Sequence, residues 1–217
     1  MLGDKIIIKK IHKDAARVIG LKILSYLEET EKKIAIAISG ESGSGKSETA
    51  EALSEYFTTN KISNLILSQD DYFVHPPKSN NLIRRNDPSW RGIKEVRLDL
   101  MDEHIEAFHN GEVFVNKPTI DYKTDTVLLE NFNFFDAELI IVEGTYTSLL
   151  QKIDKRVFID LDFRQTLKHR QLRNRDPFEL DEFTTNVLEE EHSIISDHRR
   201  FADIIINRDY SVEIKNG

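Results

Sequence analysis

Five short apolar runs punctuate the chain: Ile34–Ile38, Ile62–Leu67, Leu139–Val142, Val157–Ile159 and Ile204–Ile206. Each is rich in Ile, Val or Leu and stops at polar residues, the pattern of strands buried on both faces. Between the runs, apolar positions recur at helical spacing. Ala50, Leu53 and Phe57 share one face, and Val96, Leu100, Ile105 and Phe108 share another. Phe183, Val187, Glu191 and Ile194 set a third, with Asp176-Pro177 as a stop before it. Strands alternating with helices predict an α/β fold of three layers, a mostly parallel sheet flanked by helices.

Two stretches break the rhythm. Ala15, Val18, Leu21 and Leu24 predict a helix at the sheet edge, within an N-terminal extension over residues 1–32. Residues 112–135 carry Val113-Phe114-Val115, Pro118 to Tyr122 and Val127 to Leu129, and read as short antiparallel strands inserted in the frame. Such insertions at strand ends commonly build substrate sites. The length, 217 residues, fits one domain over residues 1–217.

Composition narrows the partners. A formal net charge of −8 argues against a broad nucleic-acid-binding face, while a local basic pocket stays open. With no cysteine, thiolate metal sites and thiol nucleophiles are excluded. Met1 to Lys10 does not read as a secretory leader, and no apolar run reaches bilayer length. A cytoplasmic chain with a small-molecule partner and no membrane or nucleic-acid partner is expected; homo-oligomerisation is left open.

The most specific chemistry is Gly40-Glu41-Ser42-Gly43-Ser44-Gly45-Lys46-Ser47, which satisfies G-x-x-x-x-G-K-[ST] between a strand pattern and a helix pattern. Gly43 and Gly45 allow the backbone to curl its N–H groups around phosphate oxygens, and the following helix, which carries Thr49, presents its positive end to the same anion. Lys46 adds a full charge, and Ser47 offers a hydroxyl to Mg²⁺. A chance match in a chain of this length is about one in a hundred before context is required, so a P-loop NTPase fold holding Mg·ATP is expected.

Candidate acids stand at strand ends on the same edge. Asp70 follows the second run and could take a hydroxyl proton or hold the metal through water. Its neighbour Asp71 reads equally well as a turn residue. Glu143, closing Leu139-Ile140-Ile141-Val142, could order a magnesium-bound water. His169, Arg170, Arg173 and Arg175 crowd one segment of an acidic protein, as in a phosphate-facing lid, though each arginine alone could equally be solvated beside Glu179, Asp181 and Glu182.

From about Ile34 to Asn207 the chain resembles the uridine kinase and phosphoribulokinase family of P-loop kinases. The resemblance rests on Gly40–Ser47, Ser68-Gln69-Asp70-Asp71-Tyr72-Phe73, Pro118-Thr119-Ile120-Asp121-Tyr122, Val142-Glu143-Gly144, Asp160-Leu161-Asp162 with Arg170-Gln171-Leu172-Arg173, and Arg200-Phe201-Ala202-Asp203-Ile204-Ile205. It implies an ATP-dependent kinase of a small molecule, with Asp70 as base, Lys46 as loop lysine, Arg170 and Arg173 as lid arginines, and Arg200 near the adenine. It also departs from the family. Uridine kinases usually carry tyrosine where Ile120 stands and histidine where Asp125 falls, both contacting the nucleoside, and an acid meeting the ribose is replaced near Asn86. Ile120 cannot hydrogen-bond a base, and Asp125 brings charge, so these positions should alter substrate choice. Tyr72, Trp90 and Arg91 are further candidates for the acceptor pocket, though Tyr72 could simply pack and a lone tryptophan is more often core or cover. Uridine or cytidine leads as acceptor; pantothenate-, ribulose-phosphate- or nicotinamide-riboside-like acceptors are rivals. A switch that binds nucleotide without an acceptor is a third reading, weakened by the lack of an Asn-Lys-x-Asp motif: Asn116-Lys117 is followed by Pro118 and Thr119.

Overall fold

The computed structural model describes residues 6–167 and 181–215. Its centre is a six-stranded sheet in the order β2-β5-β1-β6-β7-β8. The strands are β1 (Ile34–Gly40), β2 (Asn64–Ser68), β5 (Leu139–Gly144), β6 (Lys155–Ile159), β7 (Ile204–Ile206) and β8 (Val212–Ile214). All pair in parallel except β8, which runs antiparallel to β7. All five predicted strands form. Burial on both faces holds for β1, β5 and β7; β2 lies at the sheet edge, and only Leu67 in it is buried.

Strand alternation sorts the core. Ile34, Ile36 and Ile38 face one side, and Ala35 and Ala37 the other. The first side is covered by α1 (Lys10–Thr30) and α2 (Lys46–Thr59), through Ile19, Ile23, Leu53 and Phe57. The second is covered by α4 (Leu98–His109), through Met101, Ile105 and Phe108, and by Ile195 at the end of α5 (Glu182–Ile195). Helix α3 (Pro77–Asn86) lies between β2 and α4 in the chain. Among the described residues no helix is long and apolar enough to cross a membrane.

Three local expectations are corrected. Helix α1 packs on the sheet face against α2, rather than at the edge, and turns Ala15, Ala16, Ile19 and Ile23 inward, leaving Leu21 exposed. Val96 lies outside α4, in a bridge to Phe73. Residues 112–135 hold one long hairpin, β3 (Phe114–Asp121) with β4 (Thr126–Asn133), instead of several short strands.

That hairpin is fastened along β3 and at its tip. Midway along β3 the Lys117 ammonium, almost fully buried, lies 2.8 Å from Asp71 and 2.9 Å from the Thr119 hydroxyl, while the Ile120 amide donates to Asp71 at 3.3 Å. At its tip Asp125 accepts from the amides of Lys78 and Ser79 at 2.8 and 3.1 Å, capping the start of α3. Removing one member of a buried pair strands the other charge. Lys117→Met should therefore lower unfolding free energy in urea by about 3–5 kcal/mol, and adding Asp71→Leu should recover most of it. A single-variant loss below about 1 kcal/mol would mean the pair does not hold the hairpin.

Candidate active site

The loop between β1 and α2 is shaped by backbone that side chains rarely adopt. Gly43 has φ of +76° and Gly45, which caps α2, +95°. Gly45 is needed for space as well: a Cβ there would stand 2.0 Å from the Tyr210 hydroxyl, which donates to the Ser44 carbonyl at 2.6 Å. Lys46 folds its ammonium onto the Glu41 carbonyl at 3.1 Å. The hydroxyls of Ser44 and Thr49 are buried without a hydrogen-bond partner among the described residues, an uncommon state for polar atoms. A glycine-turned loop, a helix N-terminus, a lysine and hydrogen-bonding capacity in reserve make a cradle fit for an anion.

The loop is also gripped from outside. The buried Glu41 carboxylate accepts from the Phe163 amide at 2.6 Å and meets His192 Nδ1 on α5 at 2.6 Å. Thr166 donates to the Ser42 carbonyl at 2.7 Å.

Acidic groups come to this loop along the sheet. Strand β5 lies between β1 and β2, with Ser39 level with Gly144 and Ser68 level with Glu143. Glu143 therefore accepts from Ser47 on one side, at 3.2 Å, and from Ser68 on the other, at 2.5 Å. Beyond it the turn Gln69–Tyr72 presses on Gly144: a Cβ at residue 144 would lie 2.3 Å from Gln69 Cβ. Gln69 accepts from the Tyr146 amide at 2.7 Å and fixes that turn. The turn presents Asp70, half-buried. Burial first, then the charge of Glu143, push its carboxyl up to about 6, with Lys46 pulling the other way.

Asp70 opens onto a cavity of about 260 Å³ shared with His75, Asn81, Arg84, Tyr122 and Glu191. Phe73, Phe183 and Val187 give it an apolar wall. Burial, then the charges of Asp70, Asp71 and Glu143, raise the Tyr122 phenol, so it stays protonated. A second cavity, of about 320 Å³, opens on the side of Ser47, Ser68 and Glu143.

The structure thus brings together residues 40–47, Asp70 and Glu143. It sends other candidates elsewhere. Tyr72 is fully buried with its hydroxyl 2.7 Å from His104 Nδ1, and Ile120 is fully buried, so neither lines the cavity beside Asp70. Asp125 is occupied by the amides of α3. Trp90 stands behind the cavity wall, its indole donating to Asn80 at 2.9 Å. Arg91 pairs with Glu190 at 2.6 Å. Arg200 lies on an exposed turn, 3.5 Å from Asp197. His169, Arg170, Arg173 and Arg175 fall outside the described residues.

Sequence reading missed Ser68, Arg84, Tyr122 and Glu191 as site residues. Glu191 had a readable signal, an acid at an inward position of a helical pattern, and Ser68 and Tyr122 stand inside the quoted motif blocks without a role of their own; Arg84 joins the site only through tertiary contacts.

Comparison with known proteins fits this geometry. Residues 35–207 match the model of the phosphoribulokinase / uridine kinase family. A uridine kinase of Anoxybacillus flavithermus is 31% identical over 81% of this chain and 86% of its own. The bifunctional alpha-galactosidase/sucrose kinase AgaSK of Mediterraneibacter gnavus is 30% identical over 84% of this chain, which spans only 21% of that protein. A solved structure described as a possible uridine kinase from Bacillus stearothermophilus shares the fold, with a TM-score of 0.60 at 20% identity, over 89% of this chain and 97% of its own. The chain belongs to the phosphoribulokinase/uridine kinase family and is an ATP-dependent phosphotransferase acting on a hydroxyl group.

Proposed function

We propose that the chain transfers the γ-phosphate of Mg·ATP to a hydroxyl of a small polyhydroxylated molecule, with a nucleoside as the first acceptor class. The observation that carries this reading is the position of Asp70, whose carboxyl answers to Lys46 and Glu143 on the loop side and lines the polar cavity on the other. Loop amides and Lys46 hold the phosphates. Asp70 orients the acceptor hydroxyl and takes its proton. The catalytic gain is positional and electrostatic, as phosphoryl transfer requires. Arg170 and Arg173, by resemblance, neutralise charge on the phosphoryl group.

Magnesium suits the donor set. The Ser47 hydroxyl and Glu143 carboxylate are hard oxygen groups, with Ser68 fixing the carboxylate from behind. No group of three or more His, Cys, Asp or Glu that could hold a metal occurs among the described residues. Magnesium keeps waters and phosphate oxygens in its shell, and Glu143 would order one such water. Bound there, magnesium would offset charge on the phosphates.

The nucleoside reading draws on the uridine kinases, about 30% identical over most of their length. A carbohydrate acceptor is the second reading. It is favoured by Ile120 and Asp125, where uridine kinases place nucleoside contacts: the first is buried here and the second bound to α3. The similar identity to a protein named a sucrose kinase agrees with it.

Acceptor-dependent ADP release separates these readings. Uridine or cytidine should stimulate release if the first holds, and free sugars if the second does; hydrolysis indifferent to every acceptor would favour a nucleotide switch. Lys46→Ala should lower turnover at least ~10³-fold with the thermal midpoint nearly unchanged. Asp70→Asn should cut kcat by about 10²–10⁴-fold while ATP affinity, measured by equilibrium binding, changes little. Wild-type turnover in Asp70→Asn would remove Asp70 as the base.

A further inference from the structure

We propose that Arg84, held between Glu95 and Glu191 at the cavity wall, makes the acceptor site select uncharged polyhydroxyl molecules and turn away those already carrying a carboxylate or phosphate. This rests on the kinase reading above and narrows its acceptor class.

The cavity is lined by two carboxylates, Asp70 and Glu191, and one described arginine or lysine, Arg84. That cation is already committed. Its Nε donates to Glu95, which is fully buried, and its Nη2 faces Glu191 at 3.7 Å. Glu95 is in turn fixed by the Asn80 amide at 2.5 Å and the Gly92 amide at 2.6 Å, so it cannot swing away. The Asn80 oxygen accepts from Trp90 at 2.9 Å, which locks the amide's orientation. The Tyr146 hydroxyl, buried without a hydrogen-bond partner among the described residues, lies in the field of Glu191, Glu95 and Arg84.

An incoming anion would add a further negative group beside Asp70, Glu191 and Glu95, whose counter-charges among the described residues are Arg84 and Lys46, the second of these taken up by the phosphates of ATP, in a half-buried site where charges are weakly screened. A hydroxyl meets no such penalty. It donates to Glu191 or Asp70 and accepts from Arg84, so a diol satisfies both signs of the wall at once. The arrangement therefore favours hydroxyl-rich neutral acceptors among the rivals left open by sequence, and counts against pantothenate- and ribulose-phosphate-like ones.

The test uses matched pairs that differ only in an anionic group: uridine and cytidine against their 3′-monophosphates, glycerol and D-glycerate, panthenol and pantothenate, and free ribulose, fructose and glucose against their monophosphates. ADP release is measured for the full chain at pH 8 with saturating Mg·ATP. In pairs that support turnover, the neutral member should have kcat/KM at least tenfold above its anion. Glu191→Gln keeps the side chain's shape and should narrow that ratio several-fold, mainly by improving the anionic member's KM. Arg84→Lys, which keeps the charge beside Glu95, should retain the preference for neutral acceptors if it folds; its thermal midpoint reports folding. An anionic member preferred by the wild type, or a ratio unmoved by Glu191→Gln, would overturn the proposal. If no member of these pairs elicits ADP release, the acceptor reading fails and this proposal with it.

Discussion

Parallel pairing of β5 between β1 and β2 is the constraint on which the site depends. It ends three strands at one level, so the loop after β1, the acid at the end of β5 and the turn after β2 must meet at one edge. Glu143 records the consequence: a single carboxylate takes a hydroxyl from Ser47 on one side and from Ser68 on the other. Nothing in residues 40–47 alone would bring Asp70 to the loop. The sheet does so, and Gly144 leaves the space for the turn that carries it.

Crowding of acids at that edge carries an electrostatic cost that the architecture offsets in different ways. Asp71 is compensated by buried Lys117 and becomes an anchor for the hairpin. Glu41 is taken up by an amide and His192. Asp70 has Lys46 as its opposing charge, but burial first and the neighbouring Glu143 second raise its proton affinity. A carboxyl near neutral affinity and at the mouth of a polar cavity is the one disposed to exchange a proton with a bound hydroxyl. Adjacent residues of identical chemistry thus receive opposite tasks from their surroundings.

Much of the frame was legible because it depends on local pattern. The β-branched runs mark the strands, and Gly40–Ser47 marks the cradle without help from tertiary structure. Reading failed where one spacing serves two geometries. In α1, Val18 and Leu21 fit a helical face, but Ala15, Ala16, Ile19 and Ile23 fit a better one, because small residues let the helix approach α2 closely. Tyr72 and Ile120 were polar-site candidates by position in quoted motifs, yet burial makes them packing elements. Arg84 and Glu191 could not be paired from sequence, being 107 residues apart by their numbers. Their association is made by the fold alone.

The central claim is that one γ-phosphate is faced by the glycine loop on one side and by Asp70 on the other. A crystal structure with a non-hydrolysable ATP analogue, magnesium and an accepted substrate tests it most directly. The account predicts the triphosphate along residues 40–47, Ser47 on the metal, and the acceptor oxygen within hydrogen-bond reach of Asp70, about 2.6–3.2 Å. A triphosphate bound away from that loop, or an acceptor oxygen facing the γ-phosphate with Asp70 turned out of reach, would contradict it.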